Sequence, residues 1–267
     1  MRKQISSVHN SYIKELFQIK EKSRIRKKTN TFLIEGLREI SLALKGGYTI
    51  NTLLVDVTII DEFTLNNLLK NTLLEIEVIE ITPQVHQKLA TRATTEGILA
   101  VAKTKELVLE TVNFKTKNPL ILVAEAPEKP GNIGALLRTA DAAGIDAVLI
   151  ANPKTDMYNP NIIRSSVGCI FTTTIATGTT SDIISFLKKN NIAIYGAALT
   201  ASVEYQTVDF TKPTAIVVGT EATGLTDEWL NNTTNNIIIP MRGAIDSMNV
   251  SVSAAIILFE AVRQRKL

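Results

Sequence analysis

Apolar residues occur in short runs along this chain, and polar or glycine-containing stretches separate them. In the N-terminal part, four strands are predicted, at 32–34, 50–55, 74–81 and 97–102. A helix capped by Asn10 is predicted before them and runs into the basic cluster that ends near Thr29, with its apolar face set by residues 13–20. Further helices are predicted at 36–44, at 62–69 and after Pro83. This alternation of strands and helices indicates an α/β layer structure.

The second half carries longer apolar runs, which are typical of parallel strands buried on both faces. They lie at 120–124, 147–150, 192–199, 214–218 and 237–239. Helices are predicted at 133–143, after Pro160, at 182–189, after Thr226 and at the C-terminus. We therefore expect a wound parallel sheet with helices on both faces, whose ligands bind beyond the carboxyl ends of the strands. Because 104–118 is polar with weak periodicity, the predicted division is a domain at 1–103, a linker at 104–118 and a domain at 119–267.

Residues 239–255, IPMRGAIDSMNVSVSAA, combine a strand end, a turn and a helix start. Ser247 and Asn249 alternate with Met248 and Val250, which suits a chain that lines a pocket for a partly polar ligand. Asn249 is the expected N-cap of the last helix. The apolar residues of that helix recur at helical spacing, at 252, 255, 256, 259 and 262.

Composition narrows the function classes. The chain is 45% hydrophobic and 21% charged, with a mean hydropathy of +0.14, as in soluble α/β proteins. It has no apolar run of about 18 residues and no signal-peptide core, so we expect a cytoplasmic protein. One cysteine and two histidines make a Cys/His metal site unexpected.

The charge is distributed unevenly. Residues 1–30 carry nine Lys or Arg against Glu15 and Glu21, a balance of +7 in a chain whose net charge is +3. Such a segment is suited to binding phosphate backbones. Taken alone, it is equally consistent with a basic helix that is simply solvated.

A second informative stretch, EAPEKPGNIGALLRTADAAG at 125–144, follows the first apolar run of the second half. Asn132 is the expected N-cap of its helix, and Arg138 lies off the apolar face, where it can reach over the sheet edge. A plain surface arginine is the alternative. Gly131 and Gly134 without a third glycine match neither a dinucleotide-binding fingerprint nor a P-loop, which disfavours both classes.

The third stretch, VVGTEATGL at 217–225, also follows an apolar run. Gly219 and Gly224 bracket Glu221, as in a tight turn close to a ligand, where the carboxylate can accept hydrogen bonds or orient an arginine. A plain turn is the alternative.

Together these three stretches resemble the motifs of the SpoU (TrmH-like) family of RNA 2'-O-ribose methyltransferases, of the SPOUT class. The segment 158–168, YNPNIIRSSVG, is similar to the family's stretch between the first two motifs. The beginning of the chain resembles the ribosomal-protein-type RNA-binding domain that many members carry. The resemblance covers nearly the whole chain and is weakest at 50–95.

The resemblance implies an enzyme that methylates a ribose 2'-hydroxyl in ribosomal or transfer RNA. It implies a parallel-sheet domain with a trefoil knot, S-adenosylmethionine as cofactor and a homodimer. The implied cofactor contacts, made largely through backbone groups, are Leu199, Gly219, Ile239 and Met248. The implied catalytic residues are Asn132, Arg138, Glu221, Ser247 and Asn249.

The chain departs from the family pattern at three positions. Thr220 and Ala222 stand where the second motif usually has asparagine and glycine, and Met248 stands where the third usually has leucine. We expect altered turn geometry rather than loss of function, but a degenerate, non-catalytic RNA-binding protein is the alternative. A methyltransferase acting on a protein or small molecule is a third hypothesis, which the basic N-terminus disfavours.

The acceptor of the hydroxyl proton is open. The family assigns that task to the arginine at position 138, although a guanidinium is a poor base. Either Arg138 is deprotonated by its setting, or it stays charged and holds a substrate phosphate while the proton leaves through Ser247, Asn249 or water.

Overall fold

The computed structural model describes residues 2–70, 72, 75–92, 96–114, 116–200, 202–220 and 222–265. The chain divides into two compact units. Unit 1 comprises Met1–Glu106 and Asp156–Thr172, and unit 2 comprises Leu107–Thr155 and Thr173–Leu267.

Unit 1 contains a mixed five-stranded sheet with helices packed on it. Its strands are β1 (Lys3–Ile5), β2 (Thr31–Glu35), β3 (Ile50–Val55), β4 (Glu77–Ile81) and β5 (Ile98–Lys103). Its first five helices are α1 (Ser11–Glu21), α2 (Ser23–Thr29), α3 (Leu37–Lys45), α4 (Glu62–Leu69) and α5 (Pro83–Leu89). The strand order is β1-β4-β3-β5-β2, and β5 runs antiparallel to both of its neighbours.

The sequence predicts most of these elements. Asn10 caps α1 by accepting a hydrogen bond from the Tyr12 N–H at 2.9 Å, and Pro83 begins α5. The strand predicted at 74–81 is observed from Glu77 onward, and Leu74 lies outside the described residues. β1 is not predicted, because three residues with one buried side chain, that of Ile5, leave almost no pattern.

Unit 2 contains a seven-stranded sheet. Its strands are β6 (Leu120–Glu125), β7 (Ala147–Ala151), β8 (Ile175–Gly178), β9 (Ala193–Ala197), β10 (Ser202–Glu204), β11 (Thr214–Val218) and β12 (Asn235–Ile238). The remaining helices are α6 (Pro130–Ala143), α7 (Pro160–Ser165, which belongs to unit 1), α8 (Thr180–Lys189), α9 (Asp227–Leu230) and α10 (Val250–Arg265). The order is β10-β12-β9-β11-β6-β7-β8, and the paired strands are parallel throughout. The predicted parallel α/β sheet is confirmed.

Helices cover both faces of this sheet, as predicted. On one face, α8 and α9 pack on side chains such as Ile121 and Val123, with the fully buried Trp229 in that core. On the other face, α6 and α10 contact each other and the central strands β6, β7 and β11. The strand predicted at 192–199 is confined to Ala193–Ala197, and the short, partly polar β8 and β10 are not predicted.

The buried side of α10 differs from the one that helical spacing indicates. Its buried residues are Ala254, Ile257, Leu258 and Ala261. Val252 and Phe259, on the predicted apolar stripe, are instead 46% and 47% exposed. Because α10 is apolar on more than one side, its sequence does not reveal which stripe packs on the sheet.

The segment 156–172 packs within unit 1, although the sequence assigns it to the C-terminal domain. Asp156 accepts a hydrogen bond from Arg26 Nε at 2.5 Å, and the Tyr158 hydroxyl accepts one from the Lys105 N–H at 2.9 Å. Within the predicted linker, Val112 is buried in the core of unit 2. The functional division at 103 and 119 stays a prediction.

The described helices include none that is both long enough and apolar enough to cross a membrane. Within the described ranges, no three His, Cys, Asp or Glu side chains are grouped as a metal site would require.

Candidate functional site

Three of the four predicted cofactor residues follow neighbouring parallel strands of unit 2. Gly219 and Ile239 come directly after β11 and β12, and Leu199 is the second residue after β9. The three strands lie side by side in the order β12-β9-β11. Within this group, Ala197 on β9 pairs with both Val218 and Ile237. The three positions therefore share the carboxyl edge of the sheet, where ligands of parallel α/β sheets bind.

Leu199 is exposed to an extent unusual for a leucine. Its side chain is 58% exposed, and Ile245, in the segment that leads to α10, is 69% exposed. Ile239 and Met248 are half-buried. Accessible apolar side chains at this edge are suited to the apolar part of an organic ligand.

The turn after β11 is closed by its own hydrogen bonds. The Thr220 N–H donates to the Gly224 carbonyl at 3.0 Å, and the Gly224 N–H donates to the Thr220 carbonyl at 3.1 Å. The Thr220 hydroxyl accepts a further bond from the Thr223 N–H at 3.0 Å. The threonine at this departure from the family pattern thus stabilises the turn. Glu221, the predicted catalytic carboxylate of this turn, lies outside the described residues.

Gly219 is required by the same turn. A Cβ at this position would lie 2.2 Å from the carbonyl carbon of Gly224 and 2.3 Å from its oxygen. Both atoms belong to the backbone, so they cannot move aside without opening the turn.

The structure corrects the predicted start of α6. The helix begins at Pro130 with Lys129 as N-cap, so Asn132 is its third residue and not its cap. Proline is favoured at the first position of a helix because the N–H that it lacks would have no hydrogen-bond partner within the helix. The Lys129 carbonyl accepts the Asn132 N–H at 3.0 Å.

Arg138 lies on the exposed side of α6, as its place off the apolar face predicts. The buried residues of this helix are Ile133, Gly134, Leu136, Leu137 and Ala140. The Arg138 guanidinium has no hydrogen-bond or ion-pair partner within the described part of the chain. It is available to an anionic ligand.

Two predicted catalytic residues meet between α6 and α10. Asn249 Nδ2 donates to Asn132 Oδ1 at 3.3 Å. The Asn249 Oδ1 atom accepts the Ser251 N–H at 3.0 Å and the Ser251 hydroxyl at 2.6 Å, so Asn249 caps α10 as predicted. One amide therefore fixes the start of α10 and joins it to the first turn of α6.

Ser247 stands apart from this pair. Its hydroxyl is exposed and bonds to Asp246 Oδ1 at 3.1 Å, on the neighbouring residue. The structure shows no contact between Ser247 and Arg138.

Sequence patterns do not reveal Glu125, which ends β6 and is only 4% exposed. Its Oε2 atom accepts hydrogen bonds from Trp229 Nε1 at 2.6 Å and Thr180 Oγ1 at 2.8 Å. Its Oε1 atom accepts one from Asn152 Nδ2 at 3.1 Å. This carboxylate joins the ends of β6 and β7 to α8 and α9. The signal in the sequence that could have indicated Glu125 is an acidic residue directly after the fully apolar run at 120–124.

Comparison with known proteins identifies the family. The model of the SpoU rRNA Methylase family matches residues 119–259, more than half of the chain, and the MRM3-like substrate binding domain matches residues 10–100. The chain belongs to the SpoU rRNA methylase family.

One relative of this SpoU-family chain is the 23S rRNA (guanosine(2553)-2'-O)-methyltransferase RlmP of Bacillus subtilis (strain 168). It is 31% identical over 257 residues, which cover 96% of this chain and 98% of the relative. A crystal structure described as an RNA 2'-O ribose methyltransferase matches with a TM-score of 0.86 and 37% identity, covering 99% of this chain and 100% of the other.

A further solved structure is the AdoMet-bound rRNA methyltransferase from Sinorhizobium meliloti. It matches with a TM-score of 0.89 and 26% identity, and covers 98% of this chain and 97% of its own. Together these matches confirm the predicted family, the α/β fold, the class of RNA 2'-O-methyltransferase and S-adenosylmethionine as its cofactor.

Proposed function

We propose that this SpoU-family chain transfers a methyl group from S-adenosylmethionine to a ribose 2'-hydroxyl in ribosomal or transfer RNA. The observation that carries the proposal is the Asn249–Asn132 contact, which joins the first and third sequence motifs beside the carboxyl edge of the sheet. Relatives named as 23S rRNA and tRNA 2'-O-methyltransferases support the substrate class.

The carboxyl edge fits the cofactor. Backbone groups next to Leu199, Gly219 and Ile239 can bind polar atoms, and the exposed Leu199 side chain offers apolar contact. Met248, half-buried before α10, completes the proposed set. When bound, S-adenosylmethionine supplies an electrophilic methyl group.

The residues of α6 and the start of α10 are proposed to hold the ribose. A guanidinium can bind two oxygens of a phosphate through two parallel N–H bonds, so the exposed Arg138 is suited to fixing the RNA backbone. Asn132 and Asn249 then orient the ribose, and orientation can contribute several of the roughly 7–11 kcal/mol available to well-aligned groups.

The hydroxyl proton needs a route to solvent. We assign that route to the exposed Ser247 hydroxyl or to water, since Arg138 is proposed to bind the phosphate instead. Glu221, which follows Thr220 in the sequence, is proposed to orient a donor of the site.

We also propose a homodimer, because the outward stripe of α10 exposes Val252 and Phe259 beside the site elements. A second copy that covers this stripe would bury apolar surface otherwise in contact with water. The trefoil knot is carried over from the family resemblance, and the cytoplasmic location from the absence of a signal-peptide core and of a long apolar run in the sequence. Both are part of the same proposal.

A non-catalytic RNA-binding protein is the second candidate, since Thr220 and Ala222 depart from the family pattern. The hydrogen bonds of Thr220 disfavour it, because they keep the turn closed. Isothermal titration calorimetry with S-adenosylmethionine separates the two. The enzyme requires saturable binding, and no heat of binding at near-millimolar cofactor would exclude it.

A further inference from the structure

A groove of about 430 Å³ lies on unit 1 between α1 and α5. Residues of α1 and α5 form its sides, and the half-buried Phe17 lies within it. The polar side chains that line it include Lys14, Gln18, Gln84, Gln87 and Lys88. No described residue that lines the groove carries a carboxylate.

The ring of Phe17 lies next to two ammonium groups. Lys88 Nζ is 4.2 Å from the ring centroid and Lys20 Nζ is 5.2 Å from it. Lys20 also donates to the Ala90 carbonyl at 3.0 Å, so part of its hydrogen-bonding capacity is used within unit 1. Lys88 and Lys14 are exposed, and neither has an ion-pair partner in the described ranges.

Other cations near the N-terminus are engaged in the fold. The two terminal guanidinium nitrogens of Arg2, Nη1 and Nη2, donate to the Glu62 carboxylate. Arg26 is 3% exposed and donates to Asp156 and to the carbonyls of Ile19 and Lys20. The net charge of the first 30 residues therefore overstates the number of side chains that can bind phosphate. Lys14 and Lys88, by contrast, are exposed at the groove.

We infer that this groove binds a single-stranded stretch of the RNA substrate, with Lys14 and Lys88 against phosphates. The inference rests on the proposed RNA substrate and adds the place where unit 1 holds it. Gln18, Gln84 and Gln87 each offer an amide donor and acceptor, which suits the base edges that unpaired RNA exposes. An anionic backbone complements the positive charge, and an apolar peptide does not.

The test compares two double variants of the full chain with the same change in charge. Lys14→Ala with Lys88→Ala alters the groove, whereas Lys45→Ala with Lys103→Ala removes two exposed lysines of unit 1 outside it. Binding of a fluorescein-labelled, mixed-sequence single-stranded RNA is followed by anisotropy over a range of KCl concentrations. Methyl transfer to ribosomal RNA from cells that lack the protein is measured beside it.

The groove variant is expected to bind the RNA about tenfold more weakly than the control variant. The slope of log Kd against log salt should fall by about 0.7 for each phosphate that the variant no longer neutralises, as for single strands. Equal affinity and slope for the two variants overturn the inference, and so does a preference of the wild type for a duplex of the same sequence. If the wild type methylates RNA while the groove variant binds as the control does, only the groove assignment fails. If the wild type neither binds nor methylates RNA, both the groove assignment and the proposed function fail.

Discussion

The Trp229 indole Nε1 donates a hydrogen bond to Glu125 Oε2 at 2.6 Å, and both side chains are buried in unit 2. A carboxylate away from water needs several donors to offset the loss of hydration. Thr180 and Asn152 supply the others. The bond joins the end of β6, which leads into α6, to α9, which follows the turn at Gly219.

Removing one donor from this carboxylate should destabilise unit 2. Thr180→Val keeps the side-chain volume but loses the hydroxyl, and we expect unfolding free energy to fall by about 1–3 kcal/mol. Trp229 is the only tryptophan, so its fluorescence during urea unfolding reports on this core directly. Thr207→Val, at an exposed hydroxyl of the same unit, is the control. Equal, small effects of both changes would show that the network contributes little.

A methyl group at Gly219 should open the turn after β11. We expect Gly219→Ala to weaken S-adenosylmethionine binding about tenfold or more, because its Cβ overlaps the Gly224 backbone. Gly131→Ala is the matched change, since a Cβ there has no atom within 4 Å, and its unfolding free energy should stay the same or rise by up to about 1 kcal/mol because alanine favours a helix. Calorimetry and urea unfolding provide the two measurements. Unchanged cofactor affinity in Gly219→Ala would contradict the assignment of this turn to the cofactor.

The C-terminal helix should lose stability in acid. Hydrogen bonds from Arg263, then from Gln264, lower the pKa of Glu260 from 4.5 to about 2. Because the folded-state pKa is depressed, the stabilisation is complete above the ordinary pKa and is lost as pH falls from about 4.5 toward 2. Gln264 also bonds to the Phe210 N–H and the Val208 carbonyl, so the loss should loosen the end of α10.

Glu260→Gln provides the check on that pH dependence. Its unfolding free energy should lie below that of the wild type at neutral pH, and the gap should narrow as the wild-type carboxylate becomes protonated. Urea unfolding at a series of pH values measures it. A gap that stays constant down to pH 2 would assign the effect of the substitution to something other than this charge.

Arg138→Lys separates the two proposed roles of Arg138. A lysine keeps the charge but cannot form two parallel hydrogen bonds with a phosphate. We expect turnover to fall by about tenfold or more, equivalent to about 1.4 kcal/mol, with the Kd of S-adenosylmethionine unchanged. Arg138→Ala should lower turnover further. Near-normal turnover of the lysine variant would rule out the bidentate clamp.

The sequence is informative about unit 2 because its central strands are apolar on both faces. The run at 120–124 corresponds to β6, whereas the short strand β8 carries Thr177 and Gly178 and depends on its surroundings. The Thr177 N–H bonds to the Leu107 carbonyl at 2.7 Å, and no local pattern reveals a partner 70 residues away.

In the candidate site, too, local sequence patterns do not reveal contacts between residues that are far apart in the chain. Motifs identify Asn132 and Asn249, but their contact spans 117 positions. Glu125 and Trp229 are 104 positions apart, and neither residue carries a local sign that they meet. Arg26 illustrates the reverse case, since its sequence context indicates a phosphate ligand and the fold uses it to bind Asp156.

The central claim is that this SpoU-family chain methylates a ribose of cellular RNA. Mapping 2'-O-methylation across total RNA from cells with and without the protein tests it most directly, with Arg138→Ala returned to the deficient cells as the control. We predict that at least one methylated ribose in ribosomal or transfer RNA disappears, is restored by the wild type and is not restored by the variant. An identical methylation map with and without the protein would contradict the claim.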